Sequence, residues 1–221
     1  MKEQVIVSWS GGKDSCMALY EIRKNSAYDV AGLLTTITRD YDRISIHGVR
    51  RTLLERQAES LGIPLREVYI SRAASNHEYE SRMEEALLDY RGQGIDTVVF
   101  GDLFLQDIKE YRDRLLAGLS MQAIYPIWNK DTSRLIREFI ESGFKAVVTC
   151  VDPKALDGSF AGRTIDEQFL NDLPASVDAC GENGEFHSFV FDGPIFREPV
   201  NLIAGETIER DGFCFCDFSP A

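Results

Sequence analysis

Short apolar runs rich in β-branched residues alternate along the chain with longer stretches in which apolar residues recur every three or four positions. The runs are Gln4 to Trp9, Asp29 to Ile37, Leu65 to Ile70 and Asp96 to Phe100, each bounded by Gly, Pro or Ser, and they read as strands. Between them Leu54, Ala58 and Leu61 share one helical face, as do Tyr79, Met83, Leu87 and Tyr90, and then Ile108, Tyr111, Leu115 and Leu119. Strands separated by helices of this length imply βαβ crossovers, and so an α/β fold: a doubly wound, mostly parallel sheet with helices on both faces.

Further along, "AIYPIW" (Ala123 to Trp128) reads as a fifth strand with Pro126 at its end. Asp131 or Thr132 can then cap a helix that turns Leu135, Ile136, Phe139 and Ile140 inward. "FKAVVTCV" (Phe144 to Val151) is another strand candidate. After it comes a Gly- and Asp-rich region, a short helix near Ile165 to Leu173 and the segment "CGENGEFHSFVFDGPIF". This change of texture divides the chain near Pro126 into residues 1–125 and a smaller C-terminal α+β region, 126–221. No internal repeat is evident.

Composition narrows the class of function. With 44% apolar residues among 221, the chain can bury a large core. The 24 basic against 36 acidic residues give a net charge of −12, which opposes a phosphodiester backbone and disfavours a general nucleic-acid binder. No window approaches the roughly 20 apolar residues of a membrane span, and Gly-Gly-Lys-Asp interrupts any signal-peptide core, so a cytoplasmic protein without membrane association is expected. The cysteines, Cys16, Cys150, Cys180, Cys214 and Cys216, are odd in number and read as reduced thiols. Cys214 and Cys216 lack a second ligand pair for zinc and read as one face of a terminal strand.

Chemistry concentrates first in "VIVSWSGGKDSCMALYEI". A strand, a glycine-rich turn and a helix start gather backbone N–H groups and the positive end of a helix dipole at one point, which is an anion site. The turn is not Walker A, because Val7 sits where the first glycine belongs and Asp14 follows Lys13; the dinucleotide fingerprint fails as well.

Ser10-Gly11-Gly12-Lys13-Asp14-Ser15 instead resembles the Ser-Gly-Gly-x-Asp-Ser loop of the PP-loop ATP pyrophosphatases, whose folds are adenine nucleotide alpha hydrolase-like and Rossmann-like. "TTITRDYDRISIHGV", "FGDLFLQDIKEYR", "YPIW" and "CGENGEFHSFVFDGPIF" extend the resemblance, in order, to the diphthine-ammonia ligase family over nearly the whole chain. The resemblance implies that ATP and Mg²⁺ bind here, that a substrate carboxylate is adenylated with release of pyrophosphate, and that ammonia then opens the acyl adenylate to an amide. Ser10, Gly11, Gly12, Lys13 and Ser15 would hold the leaving phosphates, with Asp14 on the metal or orienting the loop.

By the same similarity Thr35, Thr36, Gly101 and Asp102 border the nucleotide, beyond the carboxyl ends of parallel strands; ordinary strand termination explains them equally well. His47 and Gly48 lie in a polar loop that faces either the active site or solvent. Glu110 and Arg112 open a helix, and Arg112 either pairs with a substrate anion or is solvated.

The second cluster, "GENGEFHS", sets Glu182, Asn183, Glu185 and His187 in a turn before an apolar strand. Such a turn can bind ammonium or take its proton, or it is a solvent-facing hairpin with Asn-Gly at its tip. The family's best-known form carries Glu-Gly-Gly-Glu-Phe/Tyr-Glu here, so Asn183 and His187 depart from it and put the substrate in question: protein-bound diphthine on elongation factor 2, or a small carboxylic acid, as in a bacterial branch linked to cobalamin salvage. A homodimer is allowed. A tRNA-thiolating enzyme, with Cys180 as sulfur carrier, and a non-catalytic nucleotide-binding module are the alternatives.

Overall fold

The structure is a computed structural model that describes residues 2–44 and 48–221; His47 lies outside the described residues. The first half alternates β1 (Glu3–Ser8), α1 (Lys13–Lys24), β2 (Tyr28–Thr38), β3 (Arg43–Ile44), α2 (Arg51–Leu61), β4 (Leu65–Ile70), α3 (Asn76–Gly92), β5 (Thr97–Val99), α4 (Gln106–Gly118) and β6 (Gln122–Ile124). In the sheet, β1 lies parallel between β2 and β5, β5 pairs parallel with β6, and β4 adds parallel to the second half of β2. Only β3, a two-residue strand that the apolar pattern does not reveal, runs antiparallel, with Ile44 opposite Ile37.

Burial on both faces explains the uninterrupted apolar runs. Val5, Val7, Leu33 and Ile37 point to one side, where α1 contributes Met17, Leu19 and Ile22 and α2 contributes Leu53, Leu54 and Leu61. Ile6, Leu34, Val68 and Val98 point to the other, against Ala86 and Leu87 of α3, Leu116 of α4 and Leu119 just past its end. The helix pattern in α4 is corrected by the structure: Leu116, rather than Leu115, enters the core, Ile108 is exposed, and the Tyr111 hydroxyl donates to Glu80 at 3.0 Å.

The remaining elements are α5 (Thr132–Glu141), β7 (Lys145–Val151), α6 (Glu167–Asp172), β8 (Phe186–Asp192), β9 (Leu202–Arg210) and β10 (Phe213–Pro220). Asp131 caps α5, accepting from the Arg134 N–H at 2.8 Å, and Leu135, Ile136 and Phe139 turn inward. The four strands form a separate antiparallel sheet in the order β8, β7, β10, β9. Asp211 and Gly212, with φ of 53° and 83°, make the two-residue turn that suits the twist of the β9–β10 hairpin. Cys214, Cys216 and Phe218 alternate along β10 toward the core.

One side chain ties the two sheets to the glycine-rich turn. The fully buried Gln57 of α2 accepts from the Trp9 indole at 2.8 Å and donates to the carbonyls of Gly11, at 3.0 Å, and Val190, at 2.6 Å. Gln57→Ala would remove three buried hydrogen bonds, each worth on the order of 1 kcal/mol, although the Gly11 carbonyl keeps the Val190 N–H at 2.9 Å. We expect urea denaturation to show a loss of about 3 kcal/mol; a loss below about 1 kcal/mol would contradict this account of the junction.

Candidate active site

The turn between β1 and α1 is shaped by its two glycines. Gly11 has a φ of 74°, and a Cβ there would meet Leu54 Cδ2 at 2.7 Å and Gln57 Oε1 at 2.8 Å. Gly12 is extended and directly precedes α1. Ser15 Oγ donates to the Gly12 carbonyl at 2.9 Å and lies 3.2 Å from Ser10 Oγ, which accepts from the Gly12 N–H at 3.3 Å. The helix start is capped from the other sheet: Ser188 of β8 accepts from the Lys13 N–H at 3.2 Å.

These groups line a cavity of about 450 Å³ at the carboxyl ends of β1, β2 and β5, the size range of small-ligand sites and the edge at which open parallel sheets bind ligands. It gathers Ser10, Gly12, Lys13, Asp14, Ser15, Thr35, Thr36, Gly101, Asp102, Arg112, Glu182 and His187 from the residues singled out by sequence. A larger cleft of about 690 Å³ beside α2 and the C-terminus contains none of them. Gly101 is needed for a close approach, since a Cβ there would lie 2.7 Å from the backbone carbonyl of Asp14.

The polar groups in the cavity are under-satisfied. Lys13 is buried, with its ammonium 2.9 Å from Asp14 Oδ2 and 5.3 Å from the Phe186 ring centre. Burial works against its charge, but Asp14, Cys180 and Glu182 outweigh that and hold its pKa above the usual value. Burial raises the pKa of Asp14 and of Asp102 despite the cations beside them. Asp102 also accepts an ion pair from Arg112 at 3.2 Å, while the Arg112 guanidinium lies 4.3 Å from the Phe100 ring centre. Among the described residues four buried side-chain oxygens have no hydrogen-bond partner, and three of them, Asp14 Oδ1, Thr35 Oγ1 and Asp102 Oδ2, belong to residues of this cavity. Buried acceptors and hydroxyls are ordinarily paired, so this concentration marks where a ligand completes the structure.

Two partnerless carboxylate oxygens beside a phosphate turn fit Mg²⁺, which is commonly held by one or two carboxylates with substrate phosphates and water. No group of three or more His, Cys, Asp or Glu suited to a metal occurs among the described residues.

The "GENGEFHS" turn divides its side chains. Glu182 faces the cavity, accepting from the Leu103 N–H at 2.9 Å, and burial raises its pKa to about 7. His187 also lines the cavity; burial and the Lys13 charge lower its pKa to about 4, so it is a neutral imidazole at pH 7.

Glu185 does not line the cavity. It is buried and accepts from the N–H groups of Asp178 and Asn183 and from the Asn183 amide, each at 3.0 Å, which locks the turn. Asn183 faces a different cavity of about 480 Å³ beside α5. Glu110 is exposed, accepting from Gln106, and Gly48, with a φ of 69°, borders a neighbouring groove. Sequence reasoning missed Ser188 and Gln57, whose partners are remote in the chain, and assigned Tyr79 to the core, whereas it lines the cavity. Cys180 is buried with its thiol donating to the Thr132 carbonyl, and burial pushes its pKa well up, which removes the thiolate that sulfur transfer needs.

The chain is similar to known proteins over most of its length. Residues 3–123 match the diphthamide synthase N-terminal domain and residues 131–218 the diphthamide synthase C-terminal domain. The diphthine–ammonia ligase of Danio rerio is 26% identical over 221 residues, spanning 90% of this chain and 86% of that protein. That of Homo sapiens is 25% identical over 230 residues, spanning 93% of this chain and 85% of the relative. The Schizosaccharomyces pombe ligase is 22% identical, and the match spans 94% of this chain but 37% of that longer protein. The chain belongs to the diphthamide synthase family. Nothing in these matches supports a tRNA-thiolating enzyme or a non-catalytic module.

The raised pKa of Glu182 has a sign that can be measured. Between 4.5, the ordinary glutamate value, and about 7 the folded chain holds a proton there that the unfolded chain has released. The stability tied to that proton is present at low pH and lost as pH rises through the window. The unfolding free energy of the native chain relative to Glu182→Gln is therefore expected to decline from pH 4.5 to about 7. His187 acts with the opposite sign, its contribution being lost as pH falls from 6.5 to about 4, and cancels because both proteins carry it. A flat difference would show that Glu182 is not held in its acid form.

Proposed function

We propose that this member of the diphthamide synthase family adenylates a carboxylate in the cavity at the carboxyl edge of its parallel sheet and then passes ammonia to it. The chain is an ATP-dependent carbon–nitrogen ligase. Its relatives are named diphthine–ammonia ligases, and diphthine is the acyl substrate we assign. The observation that carries the placement is the set of partnerless oxygens on Asp14, Thr35 and Asp102 around a glycine turn and a buried lysine.

In this reading the N–H groups of the turn, the hydroxyls of Ser10 and Ser15 and the Lys13 ammonium face the β and γ phosphates. A substrate carboxylate oxygen attacks the α phosphorus, and the bond from that phosphorus to the bridging oxygen breaks. Pyrophosphate leaves with the charge that Lys13 and the helix dipole stabilise. Asp14 and Asp102 would hold Mg²⁺, which supplies further neutralisation of phosphate charge when bound.

Ammonia then attacks the acyl carbon, the bond to AMP breaks, and a proton must leave nitrogen. Glu182, about half ionised at neutral pH, is the acceptor we assign. The neutral His187 faces the same space and adds no positive charge that would repel ammonium. Glu185 and Asn183 act as positioning residues that hold Glu182 in place.

The finer assignments belong to the same proposal. Residues 1–125 form the nucleotide half and 126–221 the half that carries Glu182 and the cap on α1. The odd set of buried thiols suits a reducing cytoplasm, and among the described residues no helix is long and apolar enough to cross a membrane.

ATP, ammonium and diphthine-bearing elongation factor 2 should yield AMP, pyrophosphate and the amide; release of ADP would overturn the mechanism. Lys13→Ala is expected to lower kcat by about 10²- to 10³-fold, the size of effect seen when one preorganised charge-stabilising donor is removed. An unchanged kcat would remove Lys13 from the chemistry.

A further inference from the structure

Among the described residues, β3 meets β2 through two residue pairs, Ile44 with Ile37 and Arg43 with Thr38. So short a ladder contributes little by itself. Ile44 is nevertheless buried, and it lines the nucleotide cavity beside Leu34, Tyr79 and Met83. This part of the cavity wall therefore needs a second anchor, and the anchor comes from the last strand of the chain.

Asp217 of β10 accepts from Arg43 Nη1 at 2.8 Å, and from Nε and Nη2 of Arg50 at 3.0 Å and 2.5 Å. Arg50 is gripped at both carboxylate oxygens, a bidentate form that fixes orientation as well as distance. Arg43 also donates to the Gly48 carbonyl at 2.6 Å, and the Ile44 N–H donates to the Val49 carbonyl at 2.9 Å. The two arms, 43–44 and 48–50, are thus closed on each other, and one carboxylate fastens both. Arg50 directly precedes α2, the helix whose Gln57 holds the Gly11 carbonyl of the phosphate turn.

The local geometry of β10 makes Asp217 available for this. Cys216 and Phe218 turn into the core, so Asp217 between them faces the other side of the sheet. The register also shifts here, with Gly205 and Glu206 of β9 falling opposite Asp217 alone, and bulges of this kind re-aim a side chain. Hydrogen bonds from Arg50 and Arg43 outweigh burial and hold the Asp217 carboxyl well below the usual carboxylate range, so it is ionised at neutral pH.

We infer that Asp217 is a positioning residue for nucleotide binding: by fastening Arg43 and Arg50 it holds Ile44 as a wall of the cavity and fixes the start of the helix that steadies the phosphate turn. The inference rests on the ligase reading for the identity of the nucleotide, but not for the tether. With the phosphates at the turn, the apolar side made by Leu34, Ile44 and Met83 is left for the base. Loss of Asp217 changes how well the nucleotide is held and spares the groups assigned to the chemical step.

Two measurements on the full chain test it. Calorimetric titration of α,β-methylene ATP with Mg²⁺ should show binding at least about fivefold weaker in the near-isosteric Asp217→Asn, the size of coupling that contacting residues show. Asp217→Glu, which keeps the charge, should recover part of that loss. Arg43→Met should weaken binding to a similar extent, and still reads the tether should Asp217→Asn not fold. D217N/R43M should fall within about twofold of the weaker single variant, because both act through one contact. With ammonium and diphthine-bearing elongation factor 2, Asp217→Asn should raise KM for ATP by about fivefold or more and leave kcat and KM for ammonium within about twofold, whereas a general loosening of the fold would move all three. Unchanged nucleotide binding in Asp217→Asn, additive losses in the double variant, or a fall in kcat with KM for ATP unchanged would each overturn the assignment. If the native chain binds the nucleotide but makes no amide, the ligase reading fails and the titrations still decide the tether; if it binds no nucleotide, both fail.

Discussion

The carbonyl of Gly11 accepts two hydrogen bonds, from the Gln57 amide at 3.0 Å and from the Val190 N–H at 2.9 Å, and the rest of the site depends on that junction. A left-handed glycine can place its carbonyl away from the helix it precedes, and here the carbonyl points into the seam between α2 and β8. The turn is thereby held by a helix of the parallel sheet and by a strand of the antiparallel one. Ser188, two residues before Val190, then reaches the Lys13 N–H. The phosphate turn belongs structurally to both halves, although its sequence lies wholly in the first.

This arrangement explains how a buried lysine and partnerless carboxylate oxygens coexist. An unpaired buried charge is costly, and Lys13 has one carboxylate, on Asp14, within ion-pair distance. The remaining oxygens of Asp14 and Asp102 and the hydroxyl of Thr35 have no hydrogen-bond partner among the described residues. A junction fixed from two sheets keeps these groups apart and prevents them from collapsing onto one another; on the proposed reading, phosphates and a cation would complete their hydrogen bonds.

How much of this the sequence discloses depends on distance along the chain. The alternation of apolar runs and helical faces is local, and the main parallel strands and the presence of helical crossovers between them could be read from it. The phosphate turn is local too: Ser10 to Ser15 are neighbours whose chemistry is written in six residues. Ser188 lies 175 positions from Lys13 and Gln57 lies 133 from Val190, and no periodicity connects them. β3 is two residues long, too short to show a period. The turn "GENGEFHS" shows both glutamates but not which one faces the cavity, because that choice is made by the N–H groups of Asp178 and Asn183, which draw Glu185 inward. The α4 face was misjudged by one position because Leu115 and Leu116 are both leucine, and only packing against the sheet selects between them.

The departure of this turn from the family's best-known form also gains a physical meaning. A glutamate at position 187 would place another carboxylate close to Lys13, where Asp14 and Glu182 already act on that ammonium. His187 is neutral at physiological pH because burial and Lys13 both oppose its protonation, so it adds no charge beside that ammonium. On the proposed reading, more of that charge remains for the phosphates, and the acid–base work near the acyl carbon falls to Glu182. On the same reading the difference at this position bears on the acyl end of the cavity rather than on the nucleotide.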